Sequence, residues 1–201
     1  MIKTLKKQLA FYAAAIAIGG FVATTSQAAF LTWDPTTNNV DLNEAFDVNI
    51  HIGGLQANED LGGFDIDILF DDSMLDFTGY SLYDGLGNIT LGDAEDWSNG
   101  DTGGGTINLS ELSWLTDLSF QSDSFMLATL SFTAGSIGTS SLTFDYVDFS
   151  DNYGDPVIYW GNVPGTVDIT AAAPVPKPTT MMLFGTGLVG LIGMRRNRKK
   201  Q

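Results

Sequence analysis

The chain has 201 residues, of which 44% are hydrophobic and 16% charged, and it contains no cysteine. Disulfides, thiolate ligands and cysteine nucleophiles are therefore excluded, and the chain is too apolar and aromatic to be disordered by composition. All 24 acidic residues lie between Asp34 and Asp168, whereas the 9 basic residues lie only towards the two ends. The middle of the chain is thus purely acidic, which excludes a nucleic-acid surface there and any mechanism that needs lysine or arginine.

The first 28 residues have the pattern of a secretory signal peptide. Three lysines within the first seven residues precede an apolar stretch over residues 9–22. Ser26 and Ala28 then supply the small side chains that signal peptidase requires at positions −3 and −1. We therefore predict a signal peptide over residues 1–28, with cleavage after Ala28 and export of the remaining chain.

Residues 29–170 show the alternation of β-strands rather than the spacing of helices. Phe46, Val48, Ile50 and Ile52 alternate with polar residues, and residues 64–70 alternate in the same way. Paired glycines and aspartates between such runs are turn signals. Many short strands at this spacing predict a single all-β domain, an antiparallel jelly-roll sandwich of about nine strands.

Three parts of this domain resemble cohesin-like modules. Residues 40–50 are similar to the opening strands of that family, and residues 61–77 are similar to its next segment, in which a Gly-Phe strand precedes a Leu-x-Phe strand. Residues 127–142 are similar to a later pair of strands. The resemblance implies a nine-stranded sandwich related to carbohydrate-binding modules. It also implies a binding role, because cohesins bind dockerins through one sheet face.

Two stretches of the domain concentrate oxygen ligands of the kind that Ca²⁺ prefers. Neither has the spacing of an EF-hand loop, and the alternative for each is a solvated acidic loop. In the first predicted loop the candidate ligands are Asp93, Glu95, Asp96, Asn99 and Asp101. In the second, which we expect to contribute more, they are Asp145, Asp148, Asp151, Asn152 and Asp155.

Three aromatic residues next to Gly- and Asp-rich segments are candidates for stacking on sugar rings. They are Trp97, Tyr153 and Trp160. The alternative for each ring is a place in the hydrophobic core, where most aromatic side chains of β-sandwiches lie. Exposure of the rings is therefore the first requirement of a carbohydrate site here.

The sequence gives no specific sign of catalysis. His51 is the single histidine, and the alternation predicts that it lies on the polar side of its strand. A Ser-His-Asp hydrolase would have to be built on it, and no Gly-x-Ser-x-Gly motif is present. A pair of carboxylates could serve a glycoside hydrolase, but with 24 acidic residues some pair will lie at almost any separation. We predict that the protein is not an enzyme and requires no cofactor.

An Ala- and Pro-rich linker over residues 171–178 leads to a glycine-punctuated apolar span. The sixteen residues of this span before Arg195 would form a helix of roughly 24 Å. That length is a little short of the ~30 Å hydrocarbon core of a bilayer, but bilayer thinning and snorkelling arginine side chains can make up the difference. The basic residues that follow should stay in the cytoplasm by the positive-inside rule. We therefore predict a transmembrane helix with a basic cytoplasmic tail over residues 179–201.

The same segment resembles the PEP-CTERM sorting signal of Gram-negative bacteria that produce exopolysaccharide. Pro176, Lys177 and Pro178 stand where that family has Pro-Glu-Pro, with lysine in place of the usual glutamate, and Arg195 and Arg196 close the span. The resemblance implies processing by an exosortase, with the protein anchored in the membrane before processing and located at the cell surface or in the matrix afterwards.

Together these features predict an exported surface or matrix protein with one cohesin-like domain. Its role would be to bind exopolysaccharide or a partner surface protein, dockerin-like in the second case. The alternatives are a structural acidic matrix component bridged by calcium, without a discrete ligand site, and a glycoside hydrolase.

Overall fold

The computed structural model describes residues 28–56 and 59–172, and in it the body forms two packed β-sheets. The predicted sorting motif, the predicted membrane span and the predicted signal peptide up to residue 27 lie outside the described residues. Within the described ranges, no helix is both long and apolar enough to cross a bilayer. The described strands are β1 (Ala29–Asp34), β2 (Thr37–Asp41), β3 (Ala45–Gly53), β4 (Gly63–Leu69), β5 (Leu75–Leu82), β6 (Ala94–Asp96), β7 (Gly100–Asp101), β8 (Thr106–Ser113), β9 (Ser124–Ala134), β10 (Gly138–Ser150), β11 (Tyr159–Asn162) and β12 (Gly165–Thr170). The described residues also include one 3-10 turn, at Ile89–Leu91.

One sheet has the strand order β11-β1-β3-β9-β5, and the other has the order β2-β12-β10-β4-β8-β6, with β7 also paired to β8. The predicted all-β sandwich is confirmed, but it has twelve described strands rather than about nine. It is also not wholly antiparallel, because β1 pairs with β11, and β2 with β12, in parallel. Both parallel pairs arise because the N-terminal segment crosses from one sheet to the other at Pro35 and meets the C-terminal strands on each side.

The alternation seen in the sequence decides which side chains form the core. Val48, Ile50 and Ile52 of β3 are fully buried between the sheets, whereas the polar residues between them face outward. Phe132 of β9 lies at the centre of an aromatic cluster, with the rings of Phe46, Phe70 and Phe77 at 5.4 to 5.8 Å. The hydrophobic effect of this single core stabilises the domain without disulfides.

Gly62 fixes the position of the turn between β10 and β11. Its N–H donates to the carbonyl of Ser150 at 2.7 Å. A Cβ atom at this position would overlap the backbone of Asp151 and Asn152. Gly62, the first of two paired glycines of the kind that the sequence analysis treats as turn signals, is thus required for a close approach of two backbone segments.

The chain leaves the sandwich at the end opposite to the β10–β11 turn. Ile169 of the last strand pairs with Gly138, the first residue of β10, whereas the turn that carries Tyr153 follows the last residue of β10. At about 3.3 Å per residue, the thirteen residues of β10 span roughly 40 Å. The C-terminal exit and the Tyr153 turn are separated by about that length.

Candidate functional site

The outward surface of β4, β8 and β10 carries two cross-strand rows of polar side chains. In the first row Asp67 lies between Tyr146 on β10 and Asn108 on β8. In the second row Asp65 lies between Asp148 and Ser110. Residues two apart on a strand point to the same side of a sheet, so the rows are neighbours. We call the surface formed by Asp65, Asp67, Asn108, Tyr146 and Asp148 the acidic face.

The amide of Asn108 holds this face in one arrangement. Its Nδ2 donates to Oδ1 of Asp65 at 2.8 Å and to Oδ1 of Asp67 at 2.9 Å. Its Oδ1 accepts from the backbone N–H and the side-chain amide of Asn99 at 3.2 and 2.8 Å. Every donor and acceptor position of this nearly buried amide is therefore used. The second carboxylate oxygen of Asp65 and of Asp67 accepts no hydrogen bond from the described residues and remains available to a ligand.

Trp97 borders the acidic face on one side. Its backbone N–H donates to the carbonyl of Ser110 at 2.8 Å, and the neighbouring Ser98 exchanges two hydrogen bonds with the backbone of Ser110. These bonds fasten the segment to β8. The ring, 57% exposed, lines a depression of about 150 Å³ together with Asp65 and Asp148. Tyr146, about half exposed, stands on β10 at the other side of the sheet face.

The electrostatic character of the face is strongly negative. No lysine or arginine occurs among the described residues, so nothing in the domain neutralises the three carboxylates. The charge of Asp148, followed by partial desolvation and the charges of Asp65 and Asp67, raises the pKa of the Tyr146 hydroxyl. The arrangement suits a cationic group, because carboxylates accept charge-assisted hydrogen bonds and aromatic faces attract cations.

The three predicted sugar-stacking residues are all on the surface. Trp97 is 57% exposed, and Tyr153 and Trp160 are each 84% exposed, so the alternative of a core position is wrong for all three. The structure does not bring them together, however. Each lines a different depression of the described surface, with Trp97 beside the acidic face, Tyr153 on the β10–β11 turn and Trp160 on the edge strand β11. They do not form one sugar platform.

The predicted calcium ligands are distributed over strands and turns rather than over two loops. The first stretch forms β6 and β7, and Asp145 and Asp148 of the second belong to β10, so neither is the continuous loop that the sequence predicts. Asp151 starts the turn that follows, where one carboxylate oxygen accepts from the N–H groups of Tyr153 and Asp155. Among the described residues, no three His, Asp or Glu side chains are gathered so as to hold a metal ion. Calcium binding stays a prediction.

We expect millimolar Ca²⁺ to raise the melting temperature of the protein above its value in NaCl of equal ionic strength. A cation that binds only the native state stabilises it by RT ln(1 + [L]/Kd), whereas NaCl only screens repulsion. Replacing Asp151 and Asp155 by Ala should remove most of the increment, and replacing Asp93 and Asp96 should remove less. Thermal melts in the two salts measure this. Equal melting temperatures would reject a specific site and leave a diffusely solvated acidic surface.

His51 lies on the polar side of β3, as the alternation predicts. It is not fully exposed, however, since its side chain is 29% accessible and its Nε2 lies 3.9 Å from a carboxylate oxygen of Asp34. No serine donates a hydrogen bond to this ring among the described contacts. The pair is therefore a surface contact between neighbouring strands β1 and β3.

Sequence reasoning missed the acidic face and one buried acid. Asp65 and Asp67 occupy the polar positions of an alternating strand, which is a visible signal, but their link through Asn108 depends on strand pairing. Glu111 of β8 is only 1% exposed, and neither of its carboxylate oxygens has a hydrogen-bond partner among the described residues. Burial, followed by the charges of Asp96 and Asp84, raises the pKa of Glu111 to about 8.

The described body has the fold of cohesin modules. It matches the cohesin of a type I cohesin–dockerin complex from Clostridium thermocellum with a TM-score of 0.59 at 10% identity, covering 75% of this chain and 98% of that one. It matches the cohesin module of a family 33 glycoside hydrolase from Clostridium perfringens with a TM-score of 0.58 at 11% identity, covering 72% of this chain and 98% of that module. A cohesin from Clostridium acetobutylicum matches with a TM-score of 0.57 at 18% identity, covering 75% of this chain and 96% of that cohesin.

The C-terminal segment carries the second part of the identification. Residues 174–199 match the PEP-CTERM protein-sorting motif, and the match includes Pro176-Lys177-Pro178 and the Arg195-Arg196 pair. No curated protein matches the chain. Both resemblances found in the sequence are thus confirmed: this is a protein with a cohesin-like sandwich and a PEP-CTERM sorting motif. The motif indicates export followed by exosortase processing at the cell surface.

Proposed function

We propose that the protein is an exported surface or matrix component whose cohesin-like domain binds a protein partner through the acidic face. The observation that carries this proposal is the pair Asp65 and Asp67, fixed by Asn108 and flanked by the exposed rings of Trp97 and Tyr146. Pre-organised acceptors reduce the entropy that must be lost on binding. Exposed aromatic residues beside them are typical of the centres of protein interfaces.

The charge of the face defines the partner. A complementary surface must supply lysine or arginine side chains, because the free oxygens of Asp65 and Asp67 only accept hydrogen bonds. Cationic groups that reach these oxygens can also pack on Trp97, a contact worth ~0.5–2 kcal/mol. The matched structures include cohesin–dockerin complexes, and a dockerin-like module with a basic face is the partner that we propose here.

The sorting segment determines where binding takes place. We propose that residues 179–201 hold the protein in the cytoplasmic membrane of a Gram-negative bacterium, with the basic tail inside, until an exosortase-type enzyme acts near Pro176-Lys177-Pro178. The domain itself acts as a binding module and performs no chemistry. After processing it would remain at the cell surface or in the extracellular matrix.

Neutralising the two fixed carboxylates should strongly weaken partner binding. The double variant Asp65→Asn with Asp67→Asn keeps the shape of the acidic face but removes both charges. We expect its affinity for the partner to be about 100-fold lower than that of the wild type, because a charge-assisted hydrogen bond contributes ~1.5–3 kcal/mol. The partner is first captured on the protein from the producing cells' matrix, and its affinity is then measured by calorimetry. The wild-type interaction should weaken with salt.

The matched control is Asp34→Asn with Asp47→Asn, which makes the same change in net charge on the outward face of the other sheet. Equal losses in the two variants would contradict a defined site and favour a general effect of the acidic surface. A captured polysaccharide, lost on Trp97→Ala or Trp160→Ala, would instead support the exopolysaccharide alternative. That alternative rests on the exposure of Trp97, Tyr153 and Trp160.

A further inference from the structure

The edge strand β11 differs from the other edges of the sandwich. Among the described residues it is the last strand of its sheet and pairs only with β1. The remaining edges are β5 at the far side of the same sheet and β2 and β6 in the other sheet. Each of those three strands contains at least one Asp or Glu, whereas residues 156–167, which include all of β11, contain no charged side chain.

This uncharged edge is also apolar and exposed. Ile158, Trp160 and Val163 all project into solvent, with Trp160 the most exposed of the three. Tyr159 points the other way and packs edge-to-face on the ring of Phe149, with ring centres 5.6 Å apart. We call the surface formed by Ile158, Trp160 and Val163 the neutral edge.

A groove lies directly beside the Trp160 ring. It encloses about 530 Å³ and its apolar lining includes Phe30 and Leu31 of β1 as well as Val163. The neutral edge therefore presents a projecting indole and an apolar recess next to each other. A surface with both features can fit a copy of itself related by a twofold axis, in which each indole meets the recess of the other copy.

The distribution of charge over the domain determines what can bind at the neutral edge. An unpaired apolar strand edge invites pairing with another strand, and proteins usually prevent this by placing charges on it. Each other edge strand contains at least one carboxylate, and two copies that approach by such an edge lose about 1 kcal/mol for each pair of carboxylates brought to 4 Å in water. No lysine or arginine among the described residues can compensate. The neutral edge avoids this cost.

We infer that two copies of this chain associate through the neutral edge, with β11 of one copy beside β11 of the other. The inference is independent of the proposed partner site, which lies on the opposite sheet. Added salt should favour this dimer, because salt screens the repulsion between the two acidic bodies and no ion pair holds them together. That response is opposite to the one expected for binding a basic partner.

The absence of cysteine provides a direct test in the full-length chain. Val163→Cys places one thiol at the neutral edge, and Ser81→Cys is the matched control on β5, the exposed opposite edge of the same sheet. Treatment with a short bis-maleimide should link Val163→Cys chains into a species of twice the chain mass, and more so at higher salt. The control should remain monomeric.

Two further variants connect the cross-link to the surface itself. Trp160→Asp or Ile158→Asp, each added to Val163→Cys, should lower the yield at least about tenfold, because each puts a carboxylate opposite its own copy. Both side chains are exposed, so folding should not depend on them. The inference is overturned if Val163→Cys gives no homodimer, if Ser81→Cys links equally well, if neither Asp variant lowers the yield, or if the cross-linked species contains a different protein.

Discussion

Replacing Glu111 with Gln should make the stability of the domain much less dependent on pH between about 4.5 and 8. The Glu111 carboxyl is buried, with no hydrogen-bond partner in the part of the chain that the structure describes, and its pKa is raised from 4.5 to about 8, by burial first and then by the charges of Asp96 and Asp84. The folded state therefore holds this proton more tightly than the unfolded state. The stability that the protonated Glu111 carboxyl contributes is fully present below the pKa of the unfolded state. As the pH rises from there towards the pKa of the folded state, the free energy of unfolding falls by about 1.4 kcal/mol per pH unit.

The measurement is urea unfolding at pH 5 and pH 8. For the wild type, the free energy of unfolding should be lower at pH 8 by roughly 3–5 kcal/mol, and Glu111→Gln should be the more stable protein there because its amide cannot ionise. Glu95→Gln, on the adjacent strand β6 but exposed, is the control and should follow the wild type. A Glu111→Gln curve parallel to that of the wild type would show that another group causes the pH dependence.

Phe132→Ala should be the most damaging single truncation in the core. The ring is fully buried and contacts three other phenylalanine rings, so its removal leaves a cavity between the sheets. Substitutions of this kind cost ~3–5 kcal/mol, a large part of the stability of a domain of this size. Chemical denaturation measures the loss.

Phe120→Ala is the matched control, since that ring is more than half exposed. It should change the free energy of unfolding by less than about 1 kcal/mol. A loss of the same small size in Phe132→Ala would mean that the surrounding rings collapse into the vacated volume. The aromatic cluster would then contribute little to the stability of the sandwich.

The sequence predicts the long alternating strands well and the short ones poorly. β3 and β4 follow directly from alternation, because one face of each strand is buried. β6 and β7 have only three and two residues and are rich in acids, so their composition resembles that of a loop. β10 continues through Asp145 and Asp148 because a bulge after Phe144 shifts its register and turns the acidic residues to solvent. Composition alone cannot show such a shift.

The same limit applies to the candidate site. Asp65 and Asp67 are visible as polar positions of an alternating strand, but the residue that joins them, Asn108, lies more than forty positions further along the chain. Cross-strand neighbours depend on register, and register depends on how the whole sandwich packs. The sequence marks Trp97 as a candidate for sugar stacking. Its exposure, however, follows from the backbone hydrogen bond that attaches it to Ser110 and not from its neighbours in sequence.

The position of the C-terminal exit determines how the domain would be oriented on a surface to which its C-terminus is attached. If residues 174–199 hold the protein on a support, the sandwich is held by the end where β12 finishes, and the Tyr153 turn becomes the tip, roughly 40 Å away along β10. The acidic face runs along the flank between base and tip, because β4, β8 and β10 extend in that direction. A partner that binds the proposed site would then have to approach from the side. The lateral spacing of anchored copies, rather than their height above the surface, would then control how many partners a crowded layer can accept.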